Sequence, residues 1–239
     1  MFIKRYGFEP KRNPNKIGRT GAYVLCYLDF FIDRKGVNGM ESMEKSLGTS
    51  CIIPSATNTG ELGYFIKGTS LPWVCLKMGD INSLPSIMSI LHKRGRRAML
   101  HHDSVKGIAK DKEGMAWLRR IGVDAIITMK SQNLKMIRDN GIITVLGTFL
   151  IDSAAVNQAV QSIRSGKPDV VNIMPMTVPG AVYRKIIHEH PCVISGGLGC
   201  DHGIIQQSLD FGALACIVTD HQLITGQYVK KPAGNSERD

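Results

Sequence analysis

Six cysteines (Cys26, Cys51, Cys75, Cys192, Cys200, Cys216) occur in the 239-residue chain without one C-x-x-C pair. That excludes the motif-type metal and redox uses of cysteine, and several of the six sit in apolar runs as small hydrophobes, which points to a reducing cytoplasm. No apolar run approaches the roughly 20 residues that span a bilayer, so no membrane is expected. No small-residue cleavage site follows the apolar cluster 23–32, which Asp29 interrupts, and a signal peptide is therefore excluded. No G-x-G-x-x-G follows the first apolar run, which argues against a dinucleotide-binding open sheet. No RNP-type aromatic motif offers bases a stacking platform.

What is present is ordinary globular composition, 43% hydrophobic and 21% charged, in a length that one α/β barrel or one doubly wound domain occupies. The net charge of +10 is uneven, because residues 1–40 carry eight Lys/Arg against three Asp/Glu and hold half of the surplus. The remainder is moderately basic. Such a balance permits a polyanionic partner and equally suits a protein that simply stays in solution.

From residue 50 the chain alternates short apolar runs with longer amphipathic ones. CIIPSA (51–56), WVCLKM (73–78), RAMLHHD (97–103), DAIITMK (124–130), ITVLGTFLID (143–152), DVVNIMP (169–175), PCVISGG (191–197) and ALACIVTD (213–220) read as buried strands. Asn58 and Glu61 have capping-box spacing, and Gly95, Gly122, Gly141, Gly166 and Gly212 stand where helices should end. Eight strand–helix units predict a parallel sheet closed as a (β/α)8 TIM-type barrel over 46–228, with a weak last helix at HQLITGQ. A doubly wound sheet is the runner-up. Residues 1–45 are expected as an N-terminal extension, poorly ordered or the product of a misplaced start codon, and 229–239 as a disordered tail.

In such a barrel, functional residues gather at the C-terminal strand ends. That address selects Asp80, His101, His102, Asp103, Lys130, Asp152, Gly196, Gly197, Thr219 and Asp220. VISGGLG (193–199) ends a strand on two residues without Cβ. This suits a tight turn, and after the seventh strand of a barrel it also suits a phosphate site, with Thr219 beside it after the eighth. His101, His102 and Asp103 are acid/base and metal-ligand residue types, but adjacent strand residues point to opposite faces, so neither a catalytic group nor a metal set is expected. Lys130 has the chemistry for a Schiff base; neutralising a phosphate, or pairing with Asp152 or Asp103, suits it better.

Lys93, Arg94, Arg96, Arg97, Arg119, Arg120, Arg138, Arg164 and Lys167 all fall near αβ connections, at the bottom rim of the barrel. Cations there complement helix dipoles. HKRGRR is denser than capping requires.

IIPSATN, LKMGDI, LHHDSVKGI, VDAIITMKS, FLIDSAAV, VVNIMP, VISGGLG and FGALACIVTD, in this order and over about residues 50–225, resemble the glycerol uptake operon antiterminator regulatory proteins. The most specific pieces are GDI at 79–81, the H-x-D-x-x-x-G of His101, Asp103 and Gly107, and D-x-I-I-T-x-K-S at 124–131. The resemblance implies a cytoplasmic regulator, neither enzyme nor metalloprotein and without a cofactor. It would sense glycerol 3-phosphate and act on the leader mRNA of glycerol-utilisation genes to prevent termination, with homo-oligomerisation left open. That implied RNA role is what makes Lys93, Arg94, Arg96 and Arg97, in the dense HKRGRR run, the candidate RNA surface. By position it assigns the phosphate to Gly196, Gly197 and Thr219, and the pocket lining to Asp80, His101, Asp103, Lys130 and Asp152. The rival readings are a barrel enzyme acting on a small phosphorylated metabolite, and a degenerate member that binds neither ligand nor RNA.

Three departures bear on the ligand. Gly147-Thr148 stands where the family places an arginine before F-L-x-D-S, which removes a bidentate anion clamp. Pro175 is followed by Met176 rather than glycine, placing a thioether where backbone would approach a ligand. Asp220 replaces an asparagine, adding a carboxylate beside the phosphate position. Finally, Arg34–Met40 can be encoded by codons containing AAAGGAGTG, a ribosome-binding sequence ahead of Met40, with Met43 a second candidate start. The intact mass of natively expressed protein separates these from Met1.

Overall fold

The computed structural model describes residues 39–228, and the expectations for 1–38 and for the tail 229–239 lie outside the described residues. Eight parallel strands follow one another round a closed barrel: β1 (Ile52–Ala56), β2 (Trp73–Leu76), β3 (Arg97–His101), β4 (Ala125–Thr128), β5 (Ile143–Phe149), β6 (Val170–Met174), β7 (Val193–Gly196) and β8 (Cys216–Val218). The last strand pairs with the first, Ile53 opposite Ile217. Helix α1 (Gly39–Leu47) precedes β1. Each strand is followed by a helix: α2 (Thr59–Gly68), α3 (Leu84–His92), α4 (Lys112–Arg120), α5 (Leu134–Asp139), α6 (Ser153–Gly166), α7 (Gly180–Glu189), α8 (His202–Asp210) and α9 (His221–Ile224). The barrel expected from the sequence is the barrel found, and its last helix is a single turn.

The pairing registers sort the inward-facing residues into layers, each drawn from alternate strands as strand tilt requires. From the bottom upward these are Trp73, Ala125, Val170 and Ala215; then Ile53, Met99, Val145 and Ile194; then Cys75, Ile127, Asn172 and Ile217. Above them come Ser55, His101, Gly147 and Gly196, and at the mouth Lys77, Met129, Met174 and Thr219. The lower layers are apolar apart from Asn172. The upper two turn polar.

The boundary expected after residue 45 falls inside α1. Met43 and Leu47, one helical turn apart, are buried against Trp73, Val170 and Ala215 at the bottom of the barrel, and the Trp73 indole donates to Ser46 Oγ at 2.9 Å. Two apolar positions are too few to register as a helical period in the sequence.

Aspartates start several of the helices. Asp111 accepts from Gly114 N, Asp152 from Ala155 N, Asp201 from Ile204 N and Asp220 from Gln222 N, all at 2.7–2.8 Å. Asn58 caps α2 as its spacing predicts, accepting from Glu61 N at 3.0 Å, while the Glu61 carboxylate takes Thr57 N and Oγ1 instead of the Asn58 amide. At the other ends Gly95, Gly122, Gly141 and Gly212 adopt positive φ. Gly166 does not. It is the last residue of α6, where a Cβ would lie 2.6 Å from Leu134 Cδ1, and the left-handed position belongs to Lys167.

The bottom rim overturns part of the RNA expectation. Arg96 is only 9% exposed; its guanidinium donates to the carbonyls of Phe65 and Thr69 at the end of α2 and lies 4.5 Å over the Phe65 ring. Arg97, half-buried at the start of β3, lies over Trp73. The neighbouring arginines are engaged in the same way, two of them with carbonyls at helix ends and one with a carboxylate. Arg119 donates to Gly141 O, Arg138 to the carbonyls of Gly166 and Lys167, and Arg164 grips Glu189 with two hydrogen bonds. Each reaches from its own helix to the end of the next. Of the four candidates, Lys93 and Arg94 are the exposed ones.

Candidate functional site

The mouth of the barrel has three sectors. On β2 and β3 it is basic: Lys77 continues the inward alternation of Trp73 and Cys75 and sits beside His101. Burial, and then the Lys77 charge, hold the His101 imidazole below its usual range, so it is neutral at pH 7. Its Nδ1 lies 3.2 Å from Ser104 Oγ. Lys77 escaped the sequence reading although it was legible there, since alternation along WVCLKM puts residues 73, 75 and 77 on one face.

On β4–β6 the mouth is filled. Gly147, where the resemblance predicts a neighbouring arginine, lacks the Cβ that would collide with the Met129 sulfur, and Met174 Cε closes in at 3.2 Å. Thioethers therefore occupy the volume above β5.

The third sector, on β7, β8 and β1, brings together Gly196, Gly197, Thr219 and Ser55. Gly197 and Leu198 take consecutive positive φ angles of 76° and 57°. Gly197 O accepts from Met176 N and Leu198 O from Cys200 N; the Gly197 N–H continues the β7–β8 ladder toward Ile217 O, while the N–H groups of Leu198 and Gly199 have no acceptor among the described residues. A run of unpaired backbone donors in a left-handed turn is the arrangement that cradles anions. A Cβ at Gly197 would come no nearer than 3.9 Å to anything, so the surface there is open.

The sequence-selected carboxylates do not converge on this cradle. Asp80 accepts from the N–H groups of Asn82 and Ser83, which hold its carboxyl below the usual range, and its loop bridges to Lys106. Gly79 supplies the left-handed turn before it. Asp103 pairs with Lys110, not with Lys130, which is exposed at the end of β4. Asp152 and Asp220 cap α6 and α9, so the carboxylate feared beside the phosphate is held by Gln222 N.

Met176 likewise turns away from the mouth. It is buried against Ile205 and Leu209, and a Cβ at Gly199 would lie 2.9 Å from its sulfur. His102 leaves the strand in a short 3-10 turn and is buried with both ring nitrogens unpartnered. Among the described residues no cluster of three or more His, Cys, Asp or Glu is arranged to hold a metal, and no helix is long and apolar enough to cross a membrane.

Comparison with known proteins bears on the same region. A glycerol uptake operon antiterminator-related protein of Thermotoga maritima superposes with a TM-score of 0.66 at 28% identity, over 73% of this chain and 98% of that one. The glycerol uptake operon antiterminator regulatory protein of Listeria monocytogenes superposes with a TM-score of 0.69 at 24% identity, over 74% and 96%. An uncharacterised Escherichia coli K12 protein, YgcP, is 26% identical over 152 residues, 62% of this chain and 78% of its own. Residues 52–224, from the first strand to the last helix, match the sequence profile of the glycerol-3-phosphate responsive antiterminators. That span contains every layer of the barrel and the whole mouth, and the chain belongs to the glycerol-3-phosphate responsive antiterminator family.

Proposed function

We propose that this barrel binds glycerol 3-phosphate at its mouth and, in response, acts on the leader mRNA of glycerol-utilisation genes as an antiterminator. The observation that carries the ligand half is the left-handed turn at Gly197 and Leu198 with the unpaired N–H groups of Leu198 and Gly199, beside the Thr219 hydroxyl just past the end of β8. Lys77 and neutral His101 supply the facing wall. The mouth carboxylates Asp80, Asp152 and Asp220 are held by backbone N–H groups and Asp103 by Lys110, which supports a sensor rather than an enzyme. No cofactor is invoked, and the site of action is the cytoplasm, where transcripts are made.

The RNA contact is assigned to the bottom rim around Lys93 and Arg94, the exposed cations left after Arg96 and Arg97 are occupied. The test is calorimetric titration of the full chain with glycerol 3-phosphate, glycerol and inorganic phosphate, followed by leader-RNA binding with and without the ligand. Selective heat from glycerol 3-phosphate and a ligand-dependent change in RNA affinity are expected. Absence of binding to any phosphate compound would overturn the ligand half, and RNA affinity unmoved by a bound ligand would overturn the coupling.

A further inference from the structure

Five large apolar side chains among the described residues are exposed: Tyr64, Ile81, Phe149, Ile151 and Leu198. Two of them have local partners. The Tyr64 ring stacks on that of His221 with centroids 4.0 Å apart, and Ile81 lies over Gly107, where a Cβ would be 3.3 Å from its Cγ2. The other three, 60%, 79% and 66% exposed, stand on the top face, Phe149 and Ile151 at the end of β5 and Leu198 after β7. Leu150 N donates to Met174 O and Met176 N to Gly197 O, which laces the three loop bases side by side in the order β5, β6, β7. The middle loop exposes Thr177 and Pro179 and carries no charged residue over 175–181. The charged side chain of this crescent, Asp152, is held by Ala155 N. A contiguous apolar patch with a polar rim marks an interaction surface.

The two flanks of the crescent differ in sign. On the β4 side stands exposed Lys130. On the other side the loops after β7 and β8 expose Asp201 and Asp220, and no lysine or arginine occurs from 197 to 228. An RNA backbone or an anionic bilayer would be repelled along that second flank. A second copy of the same surface would not. β4 and β8 each lie two strands from β6, so a two-fold axis along the β6 loop exchanges the flanks. Lys130 of one protomer then meets the acidic flank of the other, while Leu198 meets Phe149 and Ile151.

We propose that this crescent is a self-association surface on which two copies of the chain pack mouth to mouth about a two-fold axis at the β6 loop. Phe149, Ile151 and Leu198 form its apolar centre, and Lys130 opposite Asp201 and Asp220 forms its rim. The surface stands whether or not the mouth binds a phosphate.

Analytical ultracentrifugation of the full chain gives the first test. Wild type should be dimeric at about 10 μM, and Ile151→Ser combined with Leu198→Asn should weaken the dimer at least about ten-fold while leaving the circular dichroism spectrum unchanged. Asparagine suits position 198 because it tolerates the positive φ there. The axis is tested separately. Ile151→Cys treated with a short bismaleimide should give a species of twice the chain mass, in which residue 151 of one copy is joined to the exposed Cys200 of the other. A wild type that stays monomeric up to about 100 μM overturns the inference, as does a dimer indifferent to the double substitution. A monomeric wild type that binds leader RNA or anionic vesicles through these side chains gives the crescent to another occupant and overturns it equally. If the double variant does not fold, Phe149→Ser, at another exposed position, takes its place.

Discussion

Met176 and Gly199 are a complementary pair: the thioether of one lies 2.9 Å from where a Cβ of the other would be. The packing explains why the chain carries GLG rather than a longer side chain on the loop after β7, and it links the anion cradle to the buried cluster of Ile205, Leu209 and Val218. Gly199→Ala should cost about 1–2 kcal/mol through overpacking. In a Met176→Ala background, itself destabilised by its cavity, the same substitution should cost nothing. A double-mutant cycle from denaturant unfolding measures the coupling, and additive effects would show that the contact does not govern the loop.

Arg96 and its neighbours separate two roles for basic residues at the bottom rim. Arg96→Met should destabilise the barrel by about 2 kcal/mol, since charged hydrogen bonds to the carbonyls of Phe65 and Thr69 are lost inside the structure. Lys93→Gln with Arg94→Gln should stay within about 0.5 kcal/mol of wild type and flatten the salt dependence of RNA binding. A salt slope unmoved by the double substitution would remove this rim from the RNA surface.

Asp152, assigned to the ligand pocket by the resemblance, caps α6 through Ala155 N. Asp152→Asn keeps an acceptor for Ala155 N and should be close to neutral, whereas Asp152→Ala should lose about 1 kcal/mol of stability. Both should retain the thermal shift produced by glycerol 3-phosphate. Loss of that shift in Asp152→Asn would return the residue to the ligand pocket.

Buried His102 should make the fold acid-sensitive. Burial, reinforced by Lys110 and opposed by Asp103, holds its folded-state pKa below the unfolded value of about 6.5, and His101 is held down too, by burial and Lys77. The unfolded chain therefore binds more protons in this range. The stability contribution is complete above about pH 6.5 and is lost as pH falls from there through the folded pKa. The melting temperature should drop between pH 6.5 and 5.5, and His102→Phe should flatten that decline and raise stability at pH 6, because both ring nitrogens are already without partners. An unaltered slope in the variant would assign the acid sensitivity to other groups.

Much of the fold is written in short-range signals. Apolar runs bounded by Asp at helix starts and Gly at helix ends need no tertiary knowledge to read, and all eight strands lie where such runs stand. Lys167 and Gly166 show the limit: the glycine was the expected terminator, but Leu134 packs against it, and the left-handed turn passed to a lysine. At the site, Gly196, Gly197 and Thr219 were legible because strand-end address alone selects them. Arg96 was not, since only the tertiary structure brings it to the end of α2. Asn172 was invisible for the opposite reason: inside an apolar strand it reads as a tolerated polar residue until the registers place it beneath Gly196.

Helix α1 has a consequence for synthesis. It leaves the ribosome before any of the described strands, yet its seat is built from Trp73, Val170, Cys192 and Ala215. These lie on or beside β2, β6, β7 and β8, and the ring they line closes only when β8 reaches β1. Met43 and Leu47 thus emerge as an apolar pair with nowhere to dock until more than 170 further residues have been made. The first described helix of the chain is among the last to find its place.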